Sequence, residues 1–180
     1  MQKSQKSDKT LADLLDHAMR DIYYAERKIH RTLPKIIKAC SDQKLAQALT
    51  EHREETAEQI TLLEEAFELI DKPAKAVRCE AIDGILEEGD GLLEDFGGTS
   101  AGDAGIVFAC QGVEHYEITR YGTMHTWALE MGLNPVAEIF ATILAQEKAA
   151  DKKLTNLAEA ALNIAAEAHR ASAGQRPTAA

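Results

Sequence analysis

A helical stripe with acidic residues at its centre is the feature that most constrains this fold. Positions that recur every three or four residues share one helix face: Val107, Cys110, Glu114, Glu117, Tyr121, Met124, Ala128 and Met131. Such spacing predicts an amphipathic α-helix whose stripe packs against neighbouring helices. The stripe is apolar at both ends, but Glu114 and Glu117 stand one turn apart in its middle. Two carboxylates on a packed face need to be neutralised, and a metal cation is one group that neutralises them.

Three further segments have the same helical periodicity. The first begins at the capping box Thr10–Asp13 and ends near residue 40, with a kink or local break expected at Pro34, because proline removes a backbone donor. The second runs from about residue 45 to 70. The last begins at Asn134–Pro135, where an N-cap and a first-turn proline follow the C-terminal Gly132 of the preceding helix.

Two helical hairpins joined by a long crossover follow from these lengths. Residues 74–96 predict a shorter connecting helix or helix pair. A connector of about 25 residues is typical of the ferritin-like arrangement, whereas an up-down-up-down bundle needs only short links. The sequence therefore predicts one all-α domain, a ferritin-like four-helix bundle, over residues 8–168. The segments 1–7 and 169–180 have no helical pattern and are expected to be flexible termini.

Composition excludes several functional classes. Hydrophobic residues make up 45% of the chain but aromatic residues only 5%, which agrees with an all-helical fold. The net charge of −10 argues against a nucleic-acid partner, because phosphate backbones are bound through cationic patches. The three cysteines lack paired spacing, and there is no apolar N-terminal segment or membrane-length apolar run. We therefore expect a cytoplasmic protein with no membrane contact.

Every long helix carries polar residues at about the same depth in the bundle. The interruptions of the four apolar stripes are Glu26 on the first helix, His52 and Glu55 on the second, Glu114 and Glu117 on the third, and Glu147 and Asp151 on the fourth. Glu26, Glu55, Glu117, Glu147 and Asp151 lie about 13 to 18 residues from their hairpin turns, roughly 24 Å along the helix axis. Antiparallel partners meet at that depth, so these side chains are predicted to converge.

Energetics indicate what can occupy the point of convergence. An ionised carboxylate in a dry core costs several kcal/mol even after relaxation. Oxygen ligands with a single imidazole suit iron or manganese better than zinc, which favours Cys and His. Taken one at a time, these residues have other interpretations. Glu26 is then a surface acid at the stripe edge, His52 a hydrogen-bonded core residue, and Glu117 or Asp151 a side chain that faces solvent. Taken together, the acids favour a site for two metal ions, iron or alternatively manganese.

Several motifs resemble one known family. The segments that carry the resemblance are Asp21-Ile-Tyr-Tyr-Ala-Glu26, Leu33-Pro-Lys35, His52-x-x-Glu-Thr56, Glu88-Gly89, Glu114-His-Tyr-Glu117, Tyr121-Gly-Thr123 and Glu147-Lys-Ala-Ala-Asp151. In this order they resemble the YciF-like family of the ferritin-like, rubrerythrin-like superfamily, over about residues 8–168. The resemblance implies a homodimeric bundle linked to bacterial stress responses. It also implies the metal ligands Glu26, His52, Glu55, Glu114, Glu117, Glu147 and Asp151.

The chain departs from the wider superfamily in its ligand pattern. Di-iron bundles use Glu-x-x-His on two helices, but here the second helix has the reverse order, His52-x-x-Glu55, and the third has Glu114-x-x-Glu117. The predicted site is therefore richer in oxygen and poorer in histidine.

Two functions follow as hypotheses. One is a di-metal carboxylate protein of the stress response that oxidises Fe(II) or consumes peroxide, with a small oxidant and an unidentified electron donor as partners. The other is a non-enzymatic, metal-stabilised dimeric structural or stress protein. No catalytic side chain is predicted.

Overall fold

Six α-helices and one π-helical segment make up the described part of the chain. The structure is a computed structural model that describes residues 8–99 and 101–173. The elements are α1 (Leu11–Ala39), α2 (Gln43–Leu69), α3 (Glu80–Phe96), α4 (Gly102–Glu130), α5 (Asn134–Leu157), the π-helical segment Ala158–Leu162 and α6 (Asn163–Ala173). No strand occurs among the described residues, which confirms the all-α prediction.

The four long helices form a ring with ferritin-like connectivity. Around the ring, α1 packs against α2, α2 against α5, α5 against α4, and α4 against α1. Short turns join α1 to α2 and α4 to α5, whereas α3 lies in the crossover and packs outside the ring against α4 and α1. The predicted fold is confirmed, and the crossover contains one helix rather than a pair.

Local sequence signals account for the ends of the first hairpin. The capping box of α1 is present: Thr10 Oγ1 accepts from the backbone N–H of Asp13, whose carboxylate accepts from the backbone N–H of Thr10. The carboxylate of Asp42 caps α2 by accepting from the backbone N–H groups of Lys44 and Leu45. Helix α1 continues through Pro34, so the expected local break is absent, and a kink there stays a prediction.

The second hairpin begins beside the turn of the first. A capping box at Ser100–Asp103 is indicated by the sequence, but Ser100 lies outside the described residues. The carboxylate of Asp103 instead accepts from the backbone N–H groups of Ser41 and Asp42, at 2.8 and 2.9 Å. At the far end, Gly132 has a φ of +70°, which glycine adopts without strain, and it closes α4 as predicted.

Charged side chains hold the crossover helix along α1. The Asp83 carboxylate accepts from the Tyr24 hydroxyl at 2.9 Å and from Arg78 Nε at 2.7 Å, and it also pairs with Lys28. Hydrogen bonds from Lys28 and Arg78 lower the pKa of Asp83 to about 2. Two turns later, Lys35 Nζ lies 2.6 Å from Asp90 Oδ1. Helix α3 therefore runs parallel to α1.

The predicted domain boundaries are only partly covered by the described residues. At the carboxyl end, helix α6 continues to Ala173, beyond the predicted end of the domain at residue 168. Segments 1–7 and 174–180 lie outside the described residues, so the flexible termini stay a prediction. In the described ranges, no helix is both long enough and apolar enough to cross a bilayer.

Candidate metal centre

Five buried ionisable side chains come together at mid-height in the bundle. They are Glu26 of α1, His52 of α2, Glu114 and Glu117 of α4, and Glu147 of α5. The most exposed of them, His52, has 6% of its surface accessible, and the four glutamates have no more than 1%. Each sits on the stripe that its helix turns toward the core, since the neighbours one turn away, such as Ile22 and Ile143, are fully buried.

The members of the cluster are close enough together to hold a metal ion. One ligand atom from each of His52, Glu114, Glu117 and Glu147 lies within 4.8 Å of the others. His52 Nε2 is 3.4 Å from Glu114 Oε1. Glu26 adjoins this group, because its carboxylate accepts a hydrogen bond from the Glu117 carboxyl. All four bundle helices therefore contribute to one centre.

Neutral hydrogen-bond donors orient two of the carboxylates, those of Glu26 and Glu147. The Tyr121 hydroxyl donates to Glu26 Oε1, and the Gln59 amide donates to Glu147 Oε1. Thr56 has a different role: its hydroxyl donates to the backbone carbonyl of His52 at 2.8 Å, which satisfies it within α2. The sequence places Gln59 and Thr56 on the stripe, and the structure makes them supporting groups rather than members of the cluster.

The cluster holds too few protein donors for its acceptors. Unless the carboxyls share protons with one another, the atoms without a hydrogen-bond partner among the described residues include Glu26 Oε2, His52 Nδ1, Glu114 Oε2, Glu117 Oε1 and Glu147 Oε2. Buried polar atoms in native proteins are normally paired, and leaving one unpaired costs about 1 to 3 kcal/mol. Such a concentration of unpaired acceptors fits a bound cation.

Burial shifts the protonation of every member of the cluster. Desolvation and the charge of Glu147 raise the pKa of Glu26 to about 8, and desolvation raises the pKa of Glu147 to about 7. The pKa values of Glu114 and Glu117 also rise well above the usual range, first through burial and then through neighbouring acids. Burial and the charge of Lys153 lower the pKa of His52 to about 4. Without a cation, the site therefore favours neutral carboxyls and a neutral imidazole.

Two predicted ligands, Glu55 and Asp151, lie outside this cluster. Glu55 Oε2 is 4.0 Å from His52 Nδ1, and the Glu55 side chain is 46% exposed. Asp151 Oδ1 accepts from Gln111 Nε2 at 2.9 Å and lies 3.3 Å from His115 Nε2. The structure thus brings together five of the seven predicted residues, and places the other two at its edge.

A cavity of about 210 Å³, called the polar cavity because four of its nine bordering residues are ionisable, reaches the cluster from the side where α2 faces α5. His52 and Glu114 border it, and Glu55 and Lys153 also line it. Lys153 Nζ pairs with Glu51 on α2. The cavity therefore leads to His52 and Glu114 of the cluster.

Sequence reasoning missed the side chains that surround Asp151 and Glu55. Gln111 and His115 lie one turn apart on α4, on the face next to the acidic stripe, and both reach Asp151. The available signal was the four-residue spacing of these two polar residues, which stand next to the predicted ligands on the same helix. Lys153 gave no such signal, because its contact with Glu51 joins two different helices.

The residues present fit a metal ion. Carboxylate oxygens and one imidazole can neutralise a cation and fill most of its coordination positions. Glu26 and Glu147 are oriented by Tyr121 and Gln59, which resembles the way outer hydrogen bonds fix ligands in metal sites. The buried cluster is therefore able to hold a metal ion, in a site formed by helices rather than loops.

The fold and the cluster together define a ferritin-like four-helix bundle with a buried carboxylate–histidine centre. A family profile described as "Domain of unknown function (DUF892)" matches residues 10–167. Protein YciF of Escherichia coli K12 is 38% identical over 160 residues, covering 88% of this chain and 96% of that protein. The chain belongs to this YciF-like family.

Solved structures agree with this assignment. The crystal structure of the E. coli stress protein YciF matches with a TM-score of 0.82 at 38% identity, covering 87% of this chain and 99% of that one. YcfI of Rhodopseudomonas palustris matches with a TM-score of 0.81 at 42% identity, over 85% and 98% of the two chains. A protein of Xanthomonas campestris, at 20% identity and a TM-score of 0.70 over 89% and 98%, shares the fold.

Proposed function

We propose that this protein is a di-metal carboxylate protein. The observation that carries the proposal is the convergence of four buried glutamates with His52. Fully ionised, the four carboxylates carry a charge of −4, which two divalent cations balance and one does not. Glu26 adjoins Glu117, His52 Nε2 lies 3.4 Å from Glu114 Oε1, and Glu147 interacts electrostatically with both Glu26 and Glu114.

Iron is the metal that we propose, with manganese as the alternative. Four carboxylates and one imidazole make a hard, oxygen-rich donor set, which suits Fe(II) or Mn(II). Zinc favours thiolate and imidazole ligands. All three cysteines are free, and none is a member of the cluster.

The chemistry that we propose is oxidation of ferrous iron as a substrate. Two ferrous ions give one electron each to dioxygen, which takes up two protons and leaves as hydrogen peroxide. When hydrogen peroxide is the oxidant, it accepts the two electrons, takes up two protons and leaves as two waters. The chain's residues neutralise the charge and exclude bulk water around the buried carboxylates. Tyr121 and Gln59 keep Glu26 and Glu147 in place.

The setting that we propose is a cytoplasmic homodimer active in bacterial stress. Support for the stress role comes from the E. coli relative, which is described as a stress protein. The free cysteines agree with a reducing compartment. Light scattering on the purified protein tests the dimer, since a monomeric mass would contradict it.

Anaerobic titration with Fe(II), followed by metal analysis, tests the centre. We expect two ions per chain, and oxidation of the bound iron after addition of air or peroxide. Binding of two ions without any oxidation would instead support the alternative, a metal-stabilised structural or stress protein, which the unpaired buried oxygens also favour. Failure to retain any metal would contradict both.

A further inference from the structure

Two adjacent apolar voids approach the candidate metal centre from the side opposite the polar cavity. The outer void, of about 30 Å³, lies between α1, α3 and α4. The inner void, of about 10 Å³, is bordered by Ile29 and Leu33 of α1 and ends at His52 and Glu114. The two voids share five bordering residues: Thr32, Ile36, Leu86, Cys110 and Val113.

The walls of these voids offer almost nothing to a charged or strongly hydrated molecule. The Thr32 hydroxyl already donates to the Lys28 carbonyl at 2.9 Å. Cys110 is buried, and desolvation raises the pKa of its thiol, which keeps it neutral. At the partly exposed outer end, Asp90 pairs with Lys35. Apolar voids of this kind remain dry and take up apolar guests.

Helix α3 creates this passage. A crossover only has to return the chain to the other end of the bundle, yet α3 is packed along α4 and closes the voids from outside. Gly89 allows the close approach, since a Cβ at this position would lie 3.3 Å from the Cβ of Ala109. The space left between the helices is therefore narrow, and its lining is aliphatic.

We infer that the voids between α1, α3 and α4 admit dioxygen to the centre, an inference that rests on the proposed function. Cations and peroxide instead use the polar cavity between α2 and α5. Both approaches end at the same two side chains, His52 and Glu114. The inner void of about 10 Å³ admits only the smallest guests, and slight side-chain motion widens it for a diatomic molecule. Dioxygen fits because it is small, neutral and apolar, whereas a metal ion or peroxide would lose its hydration.

Xenon tests the passage without any metal or turnover. Crystals of the metal-free protein, pressurised with xenon, are expected to show an anomalous peak in the outer void beside Leu86 and none in the polar cavity, because xenon occupies apolar cavities. Absence of xenon from the void, or its presence in the polar cavity alone, would overturn the inference.

Variants at Leu86 test the passage in solution. Leu86 borders both voids but belongs to α3, outside the helices that carry the cluster. Leu86→Phe should slow oxidation of bound iron by dioxygen several-fold, and Leu86→Ala should not slow it. Iron stoichiometry and the rate with hydrogen peroxide should stay unchanged in both. The control is Ile82→Ala, one turn earlier on α3, since Ile82 is buried but borders neither void.

The outcomes separate this inference from the proposed function. Iron that binds but is never oxidised, in a protein that takes up xenon, would contradict the proposed oxidation only. Dioxygen and peroxide rates that change by the same factor in Leu86→Phe, or a dioxygen rate that does not change, would contradict the passage only.

Discussion

Removal of metal should make the stability of this protein fall as the pH rises from 6.5 to 8. In the folded chain, burial and Glu147 raise the pKa of Glu26 from 4.5 to about 8, and burial raises that of Glu147 to about 7. The unfolded chain releases both protons near pH 4.5, but the folded chain retains them. Protonation therefore stabilises the fold at low pH, and this contribution is lost as the pH rises through the folded-state pKa.

Glu26 sets a minimum size for the effect, because the raised pKa values of Glu114 and Glu117 act in the same sense. One pKa unit corresponds to about 1.4 kcal/mol. The interval between pH 6.5 and the pKa of Glu26 is about 1.5 units, so its deprotonation lowers the free energy of unfolding by about 2 kcal/mol. Glu147 adds a smaller loss up to pH 7. His52 acts in the opposite sense, because its pKa falls from 6.5 to about 4, but its contribution is lost only as the pH falls below 6.5.

Urea unfolding followed by far-ultraviolet circular dichroism measures this dependence. The protein is stripped with a chelator and studied at constant ionic strength between pH 6.5 and 8. Bound metal takes the place of the protons, so the loaded protein should lose far less stability over the same range. Glu26→Gln should reduce the slope of the metal-free protein by about one proton. A metal-free stability that stays constant or increases toward pH 8 would refute the reasoning.

Three further predictions concern single side chains. Glu147→Ala should abolish binding of at least one metal ion, whereas Glu130→Ala, at an exposed position of α4, should leave the stoichiometry from metal analysis unchanged; equal retention in both would contradict the assignment. Glu55→Gln and Asp151→Asn should both retain the full stoichiometry, because these side chains lie outside the buried cluster, and loss of an ion from either would make that residue a ligand. Tyr121→Phe should lower the free energy of unfolding of the metal-free protein by about 1 to 3 kcal/mol, because Glu26 loses its donor, and an unchanged urea midpoint would argue against that hydrogen bond.

Much of the centre was accessible from the sequence because helix geometry is regular. With a rise of about 1.5 Å per residue, equal distances from a hairpin turn bring residues of antiparallel helices to one level. This reasoning placed Glu26 and Glu147 at the same depth, and they interact in the structure. His52 and Glu114 were assigned to the same site, and in the structure His52 Nε2 lies 3.4 Å from Glu114 Oε1.

Rotation about the helix axis was harder to predict than depth. Glu55 and Asp151 have the correct height but lie toward the edge of the inward face, where a neighbour or solvent decides their orientation. Asp151 turns toward Gln111 and His115 of α4, and Glu55 remains half exposed beside the polar cavity. Such contacts join residues far apart in the chain, and no local pattern contains them.

The sequence by itself determined the all-α class, the two hairpins with their long crossover, and the level at which acids interrupt the apolar stripes. These features depend on periodicity, capping and turn residues, which act over a few neighbouring positions. Only the tertiary structure decided which acids share the centre, where α3 lies, and that a polar cavity and a pair of apolar voids reach His52 from different sides. Such features depend on how side chains of separate helices fill the space between them, and that space exists only after the helices have packed.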